Sequence, residues 1–294
     1  MNKTHAILVV LYNKKPEASN TLKCLSSISL KNVAITIVNN GPELWNENDI
    51  NLINYSLVGR GKSIHIEEWL ENKPLSILYN EFIIQNKDSN YYTIFDDDSY
   101  FDNNFFEFID YGLCESEIDV YTPKIFSRNG SEVYYPLVSG VIVQKDGILD
   151  EKKTFSIASG LTLSSHFIDK ISAVFGNVFD EKYALYGVDM SLFRRIRILS
   201  NQNIKINIKC TSSIYHSLSR IDEKPSIFRS IERLIDAFLT CRNYFCLENF
   251  IFMLKVFIKE SPTVGIFNAL YLLLKTMLTG EHPRSISWRK YYNE

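Results

Sequence analysis

The sequence predicts an α/β protein built on a largely parallel sheet. Unbroken runs of β-branched and aromatic residues recur: "AILVVLY" at 6–12, "VAITIVNNG" at 33–41 and "YYTIF" at 91–95. Such runs suit strands buried on both faces, as parallel strands are. Helical spacing fills the gaps, so strand, helix and strand follow one another within about forty residues. The first, second and third runs all end in polar groups, and ligands of open α/β sheets bind beyond the C-terminal strand ends.

The elements follow in order. "PEASNTLKCLSSI" (16–28) reads as a helix, with Pro16 and Glu17 suited to its first turn. "SIHIEEW" (63–69) alternates as a short strand does. Leu75, Leu78, Tyr79, Phe82 and Ile83 carry a helical stripe, and "NNFFEFIDYGL" (103–113) is a further helix. Several short strand-like runs occupy 117–165. Helices are expected at 165–174 and 188–202, with a late strand at "IKINIKC" (204–210). After Pro225 the character changes: 227–260 reads as one helix and 263–280 as a second, ended by Gly280. These features divide the chain into an α/β domain over 1–222 and a helical region over 223–294.

The bulk numbers exclude some classes. The 294 residues are 46% hydrophobic and 22% charged, an ordinary globular mix. A net charge of −2 gives no electrostatic case for nucleic acid. Five scattered cysteines (Cys24, Cys114, Cys210, Cys241, Cys246) form no CxxC pair and suit reduced thiols. The apolar stretch near the N-terminus is short for a signal peptide, and no run reaches the ~20 apolar residues a spanning helix needs. A cytoplasmic protein is expected.

Three adjacent aspartates, Asp96, Asp97 and Asp98, follow the third apolar run. Side by side they repel, so a positive partner is expected. The bland use is a solvated turn in which Asp98 or Asp102 caps the next helix. The sharper use is coordination of Mg²⁺ or Mn²⁺, which prefer oxygen ligands and bridge to phosphates. Tyr12-Asn13 and Asn39-Asn40-Gly41 end the other two runs, where amide and phenol can meet a base. Asp189 stands at the expected start of the 188–202 helix, as an N-cap or as a general base. His216 is a structural histidine or a member of a metal shell.

The ordered set "VVLYN", "IVNNG", "NKPLSILYN", "IFDDDS", "SGLTLS", "FDEKYALYGVDMSLFRRI" and "YHSLSR" resembles the family 2 glycosyltransferases. The likeness is to the rhamnosyl- and galactofuranosyltransferase-like branch of bacterial surface-polysaccharide synthesis. It covers about 1–245, including "CRNYF", in the absence of any one decisive motif. It implies the GT-A fold and an inverting transfer from a nucleoside-diphosphate sugar, UDP- or dTDP-linked. It also implies a DxD-type motif at Asp96–Asp98, with Asp98 on the metal (Mn²⁺ or Mg²⁺) and Asp96 or Asp97 near the ribose. By the same resemblance Tyr12, Asn13, Asn39 and Asn72 line the nucleotide, Asp189 is the catalytic base, and His216 is a further metal or diphosphate contact. Three positions depart from the pattern: Val188 precedes Asp189 where an acidic residue is usual, Asn39 replaces an aspartate, and Pro74 stands where glycine is common.

The implied partners are the donor and a saccharide or lipid-linked oligosaccharide acceptor. Arg229, Arg233, Arg242, Lys255 and Lys259 are interspersed with apolar residues over 227–260. They suit packing on the catalytic domain, a homodimer, or peripheral contact with the inner face of the membrane. A competing class, an aspartyl phosphatase, usually has threonine or valine where Tyr100 stands. A scaffold subunit that kept the fold and lost turnover is the non-enzymatic alternative.

Overall fold

A computed structural model describes residues 4–28, 30, 32–57, 62–110, 117–216 and 226–292. Its strands are β1 His5–Leu11, β2 Val33–Asn39, β3 Lys62–Glu68, β4 Tyr91–Asp96, β5 Val120–Phe126, β6 Val133–Tyr135, β7 Leu137–Val138, β8 Val141–Ile142, β9 Gly147–Leu149, β10 Thr154–Phe155, β11 Leu161–Ser164 and β12 Ile208–Tyr215. The α-helices are α1 Asn20–Ser27, α2 Glu47–Leu57, α3 Leu75–Gln85, α4 Glu107–Asp110, α5 Ser165–Phe175, α6 Val188–Asn201, α7 Ile227–Asn243, α8 Leu247–Val264, α9 Ile266–Thr279 and α10 Pro283–Tyr292. The fold class is as expected: a mixed sheet flanked by helices, with a helical C-terminal part.

Two units divide the described residues. The first takes in 4–72, 81–178 and 195–216; the second takes in 73–80, 179–194 and 226–292.

The first unit holds the main sheet, in the order β3-β2-β1-β4-β11-β5-β12-β9, with β6 on β5. β1 runs parallel to β2 and β4, and β2 parallel to β3. All seven residues of β1 are buried, as a strand covered on both faces requires. β11 runs antiparallel to both β4 and β5, so β5 points the same way as β4, and β12 runs parallel to β5. The C-terminal ends of β1, β2, β3, β4, β5 and β12 therefore share one edge, and the start of β11 joins them. Strand order reverses at β1, whose neighbours β2 and β4 lie on opposite sides; this is the topological switch point of an open α/β sheet.

Four local expectations need correction. Pro16–Ala18 is a short 3-10 turn, and α1 starts only after Ser19, whose hydroxyl accepts from the Leu22 N–H at 3.2 Å. The helix expected over 103–113 is a 3-10 turn, Asn103–Phe106, followed by α4; 111–113, like Cys114, lies outside the described residues. The late strand starts at Ile208 rather than Ile204 and runs on to Tyr215, because it pairs with β5 from Val120 onward. The helix expected over 227–260 is broken between α7 and α8, where Cys246 Sγ accepts from the Asn249 N–H at 3.4 Å as an N-cap. Gly280 ends α9 in the left-handed region as expected. Cys24, Cys210, Cys241 and Cys246 are free thiols.

In the second unit α7, α8 and α9 enclose a small core of Leu234, Ala237, Phe238, Cys241, Met253 and Val264. Within the same unit the segment 179–187 lies against α7. Tyr244 Oη donates to Asp180 at 2.7 Å, and the Tyr183 hydroxyl meets Thr240 Oγ1 at 3.3 Å. Gly187 has φ +82, and a Cβ there would stand 2.6 and 2.8 Å from two Tyr183 ring carbons and closer still to Asp236 Oδ1. Both the backbone conformation and the space demand glycine immediately before α6.

Candidate functional site

The aspartate turn is fixed from below by α1. Thr21 Oγ1 donates to the Asp96 carbonyl at 2.5 Å and accepts from the Ser99 N–H at 3.1 Å. Ser19 Oγ donates to the Asp97 carbonyl at 2.8 Å, and the Thr21 N–H reaches the same oxygen at 3.3 Å. With its backbone so held, the turn directs three carboxylates to three different partners.

Asp97 meets Lys14, Nζ to Oδ1 2.6 Å. Lys14 follows β1 and Asp97 follows β4, so this pair spans the switch point. The Lys14 carbonyl is itself held by the Trp45 indole N–H at 3.2 Å. Asp98 Oδ1 lies 3.0 Å from His216 Nδ1. Asp96 Oδ2 accepts from Ser159 Oγ at 2.5 Å and lies 3.7 Å from His216 Nε2. His216 reaches the turn because Tyr100 and Tyr215 exchange backbone hydrogen bonds, both 2.8 Å, which draw the end of β12 alongside the segment after β4.

The three carboxylates become chemically unequal. Burial pushes the Asp97 carboxyl up to about 6 in spite of Lys14. Desolvation of its oxygens also raises Asp96, against the pull of His216, although 42% of that side chain stays exposed. Burial would raise Asp98 too, but the hydrogen bond and charge of His216 outweigh it, and Asp98 sits below the usual carboxylate range. Burial alone would lower His216; Asp98 first, then Asp96 and Asp97, reverse this and raise it.

Tyr12, Asn13, Asn39 and Asn72 follow or end strands of the first unit, along the same strand-end edge. Tyr12 is exposed. Asn13 adopts φ 51, and its N–H donates to the Gly41 carbonyl at 2.6 Å. Asn39 is buried, and its amide is engaged inside the fold. Nδ2 donates to the Glu43 carbonyl and to Glu68 Oε1, both at 2.7 Å, while Oδ1 accepts from the Gly41 N–H at 3.1 Å. Asn72 Oδ1 accepts from Asn40 Nδ2 at 3.2 Å, and its φ is 56. Asp189 lies in the first turn of α6, one residue inside the helix rather than at its cap. It belongs to the second unit, whereas the aspartate turn and His216 belong to the first.

Lys14, Ser159, Ser19 and Thr21 were not singled out from sequence. "LYNKK" offers two lysines, and nothing local distinguishes Lys14 from Lys15, which pairs with Asp49 at 3.6 Å. Ser159 joins the edge only because β11 runs antiparallel.

Among the described residues no group of three or more His, Cys, Asp or Glu is arranged to hold a metal ion. Asp98 offers a carboxylate, which suits Mn²⁺ or Mg²⁺, and His216 an imidazole, which suits a transition metal rather than Mg²⁺. Mn²⁺ and Mg²⁺ commonly take one or two carboxylates and complete the shell with water and phosphate oxygens.

No protein-family model matches the sequence, and no curated protein matches it. Solved structures do. The chain aligns with S. aureus TarS 1-349 in complex with UDP at TM-score 0.55 and 11% identity, covering 98% of this chain and 91% of that one. The complex of the same fragment with UDP-GlcNAc gives 0.55, 11%, 98% and 92%. Against a longer TarS chain the score is 0.54 at 12% identity; 81% of this chain is covered, but it spans only 40% of that protein. This protein therefore has the fold of that TarS fragment.

Proposed function

We propose that the chain is an inverting glycosyltransferase. It moves a sugar from a nucleoside-diphosphate donor to a hydroxyl of a saccharide or lipid-linked acceptor, in bacterial capsule, O-antigen or exopolysaccharide assembly. The carrying observation is the meeting of Lys14, Asp96–Asp98 and His216 beyond the ends of β1, β4 and β12. The fold that holds them is shared with a TarS fragment whose structures contain UDP and UDP-GlcNAc. Those ligands favour a UDP-linked donor over a dTDP-linked one.

In this reading the donor lies along the strand-end edge, with its diphosphate at the β1/β4 switch point and its nucleoside toward Tyr12, Asn13 and Asn72. Asn39 acts one step back, orienting Glu68 and the 39–43 turn through its amide. Asp98, with His216 in the case of Mn²⁺, would hold Mn²⁺ or Mg²⁺, which when bound supplies positive charge opposite the departing diphosphate. Lys14 offsets the charge of the aspartate turn. Asp189 takes the proton of the acceptor hydroxyl as its oxygen bonds to the anomeric carbon. The bond from that carbon to the diphosphate oxygen breaks, the configuration inverts, and no covalent enzyme intermediate forms. The N-terminal turn of α6 favours the ionised form that a base requires. Residues 1–222 supply the catalytic fold and 223–294 the helical region. The latter shares its unit with 179–194, so α7 buttresses the segment leading to Asp189.

Thermal unfolding with UDP, UDP-sugars and Mn²⁺ tests this. A ligand bound only by the folded state raises the transition by RT ln(1 + [L]/Kd), about 2.7 kcal/mol at a hundredfold excess over Kd. Asp98→Ala is expected to remove the manganese-dependent part of the shift, and Asp189→Ala to keep the shift but abolish transfer. Absence of any shift with UDP, or parental transfer by Asp189→Ala, refutes the reading.

A further inference from the structure

We infer that α8 and α9 dock the protein onto an anionic lipid surface, lying flat in its interface. On α8, Leu247, Phe250, Ile251, Leu254 and Ile258 are all exposed. At 100° per residue they fall within an arc of about 100°. On α9, Ile266, Phe267, Leu270, Tyr271, Leu274 and Leu278 are exposed within an arc of about 140°. Phe267 at 84% and Leu278 at 80% exposed both lie in that stripe, so the exposed apolar residues form one face rather than scattered singles. The opposite faces of the same helices are occupied: Met253 and Val264 of α8 and Ala269 of α9 are buried in the small helical core. The two stripes meet at the elbow, where Ile258 and Ile266 line one cleft of about 310 Å³ with Pro262 and Gly265.

Charge selects the occupant. Over α8 and α9 the exposed charges are Glu248, Lys255, Lys259 and Lys275, a net positive face. The other acid in that span, Glu260, is buried, accepting from Ser230 Oγ at 2.6 Å and facing Arg233 at 3.5 Å. Lys255 and Lys275 each lie about 40° past the edge of an apolar stripe, where a lysine stem covers apolar surface and its ammonium reaches headgroups. An isologous pairing of this face with a second copy would bring two net-positive surfaces together, whereas the phosphates of a bilayer complement that charge. No helix among the described residues is long and apolar enough to cross a membrane, and the stripe geometry is that of helices resting on one. The inference uses only α8 and α9 and is independent of the nucleotide site.

Co-sedimentation of the full chain with vesicles tests it, comparing equal parts phosphatidylglycerol and phosphatidylcholine with phosphatidylcholine alone. Binding is expected to the anionic vesicles and to be weakened by salt. Lys255→Gln with Lys275→Gln should lower it roughly thirtyfold, at about fivefold per cation. Leu254→Ser with Phe267→Ser should lower it at least tenfold; both side chains are exposed, so circular dichroism and any UDP-dependent thermal shift should stay as in the parent. If the parent stays in the supernatant with both vesicle types, the inference is overturned. It is equally overturned if light scattering shows a dimer that Leu254→Ser with Phe267→Ser dissolves, since a second copy then covers the face.

Discussion

Gly187→Ala should destabilise the second unit far more than its backbone angle alone explains. Gly187 sits at φ +82, where alanine costs about 1 kcal/mol. Gly176, which ends α5 in the left-handed region at φ +80, has open space: nothing lies within 4 Å of a new Cβ. The two glycines thus share a positive φ and differ in packing. At 187 the Cβ would enter Tyr183 at 2.6 and 2.8 Å and crowd Asp236, well inside ordinary carbon contact. Neither neighbour can step aside cheaply. Tyr183 is fully buried, and Thr240 sits between its hydroxyl at 3.3 Å and Asp236 Oδ1 at 3.2 Å. Overpacking of this kind costs about 1–3 kcal/mol. Gly176→Ala should therefore lose about 1 kcal/mol and Gly187→Ala about 2–4 in urea unfolding followed by fluorescence. Equal losses would show that Tyr183 and Asp236 yield, and the rigid seat for the start of α6 would be wrong. In the proposed enzyme Gly187→Ala should also depress donor turnover while leaving UDP affinity unchanged.

Acid should weaken the fold through His5. Its imidazole is buried against Thr93 Oγ1 at 2.8 Å, and burial drops its pKa from 6.5 to about 3. The unfolded chain takes up a proton below 6.5 while the folded one refuses it until about 3, so this contribution is whole above pH 6.5 and shrinks as pH falls. At about 1.4 kcal/mol per pH unit, roughly 3 kcal/mol is gone by pH 4.5. His5→Gln should cost stability at pH 7 and regain it relative to the parent toward pH 4.5; a constant difference in urea midpoints across that range refutes the argument. Lys14→Ala should cost a modest amount of stability, about 1 kcal/mol, since the Lys14 side chain is 31% exposed while that of its partner Asp97 is 15% exposed. In the proposed enzyme it should weaken UDP binding about tenfold by leaving the aspartate turn one charge more negative. Calorimetric titration at low salt reads this, and unchanged affinity would remove Lys14 from the site.

The strands were legible because burial on both faces leaves a continuous apolar run, and β1, β2 and β4 are runs of that kind. Pairing partners were not. Ser159 reaches Asp96 through the antiparallel course of β11, and His216 reaches Asp98 through a bridge between Tyr100 and Tyr215. Contacts so distant in sequence leave no local period to read. The same limit displaced the late strand: "IKINIKC" alternates well, yet β12 starts where β5 offers a partner. Asn39 illustrates the reverse difficulty, a polar strand end that looks open in sequence and is engaged inside the fold by Glu43, Glu68 and Gly41.

The aspartate triplet shows what geometry adds to composition. In sequence the three carboxylates are equivalent and mutually repulsive. In the fold, Lys14, Ser159 and His216 each take a different one, and burial separates them further. Asp97 is held near neutrality at about 6, Asp96 is raised, and Asp98 is kept ionised by His216. A divalent cation favours the carboxylate already committed to negative charge, because binding there displaces no proton. The imidazole beside Asp98 that stabilises this charge is the group a cation would have to share or replace. In the proposed enzyme, cation binding would therefore be coupled to the protonation of His216: a cation there should lower the imidazole's affinity for its proton, in proportion to the charge it brings.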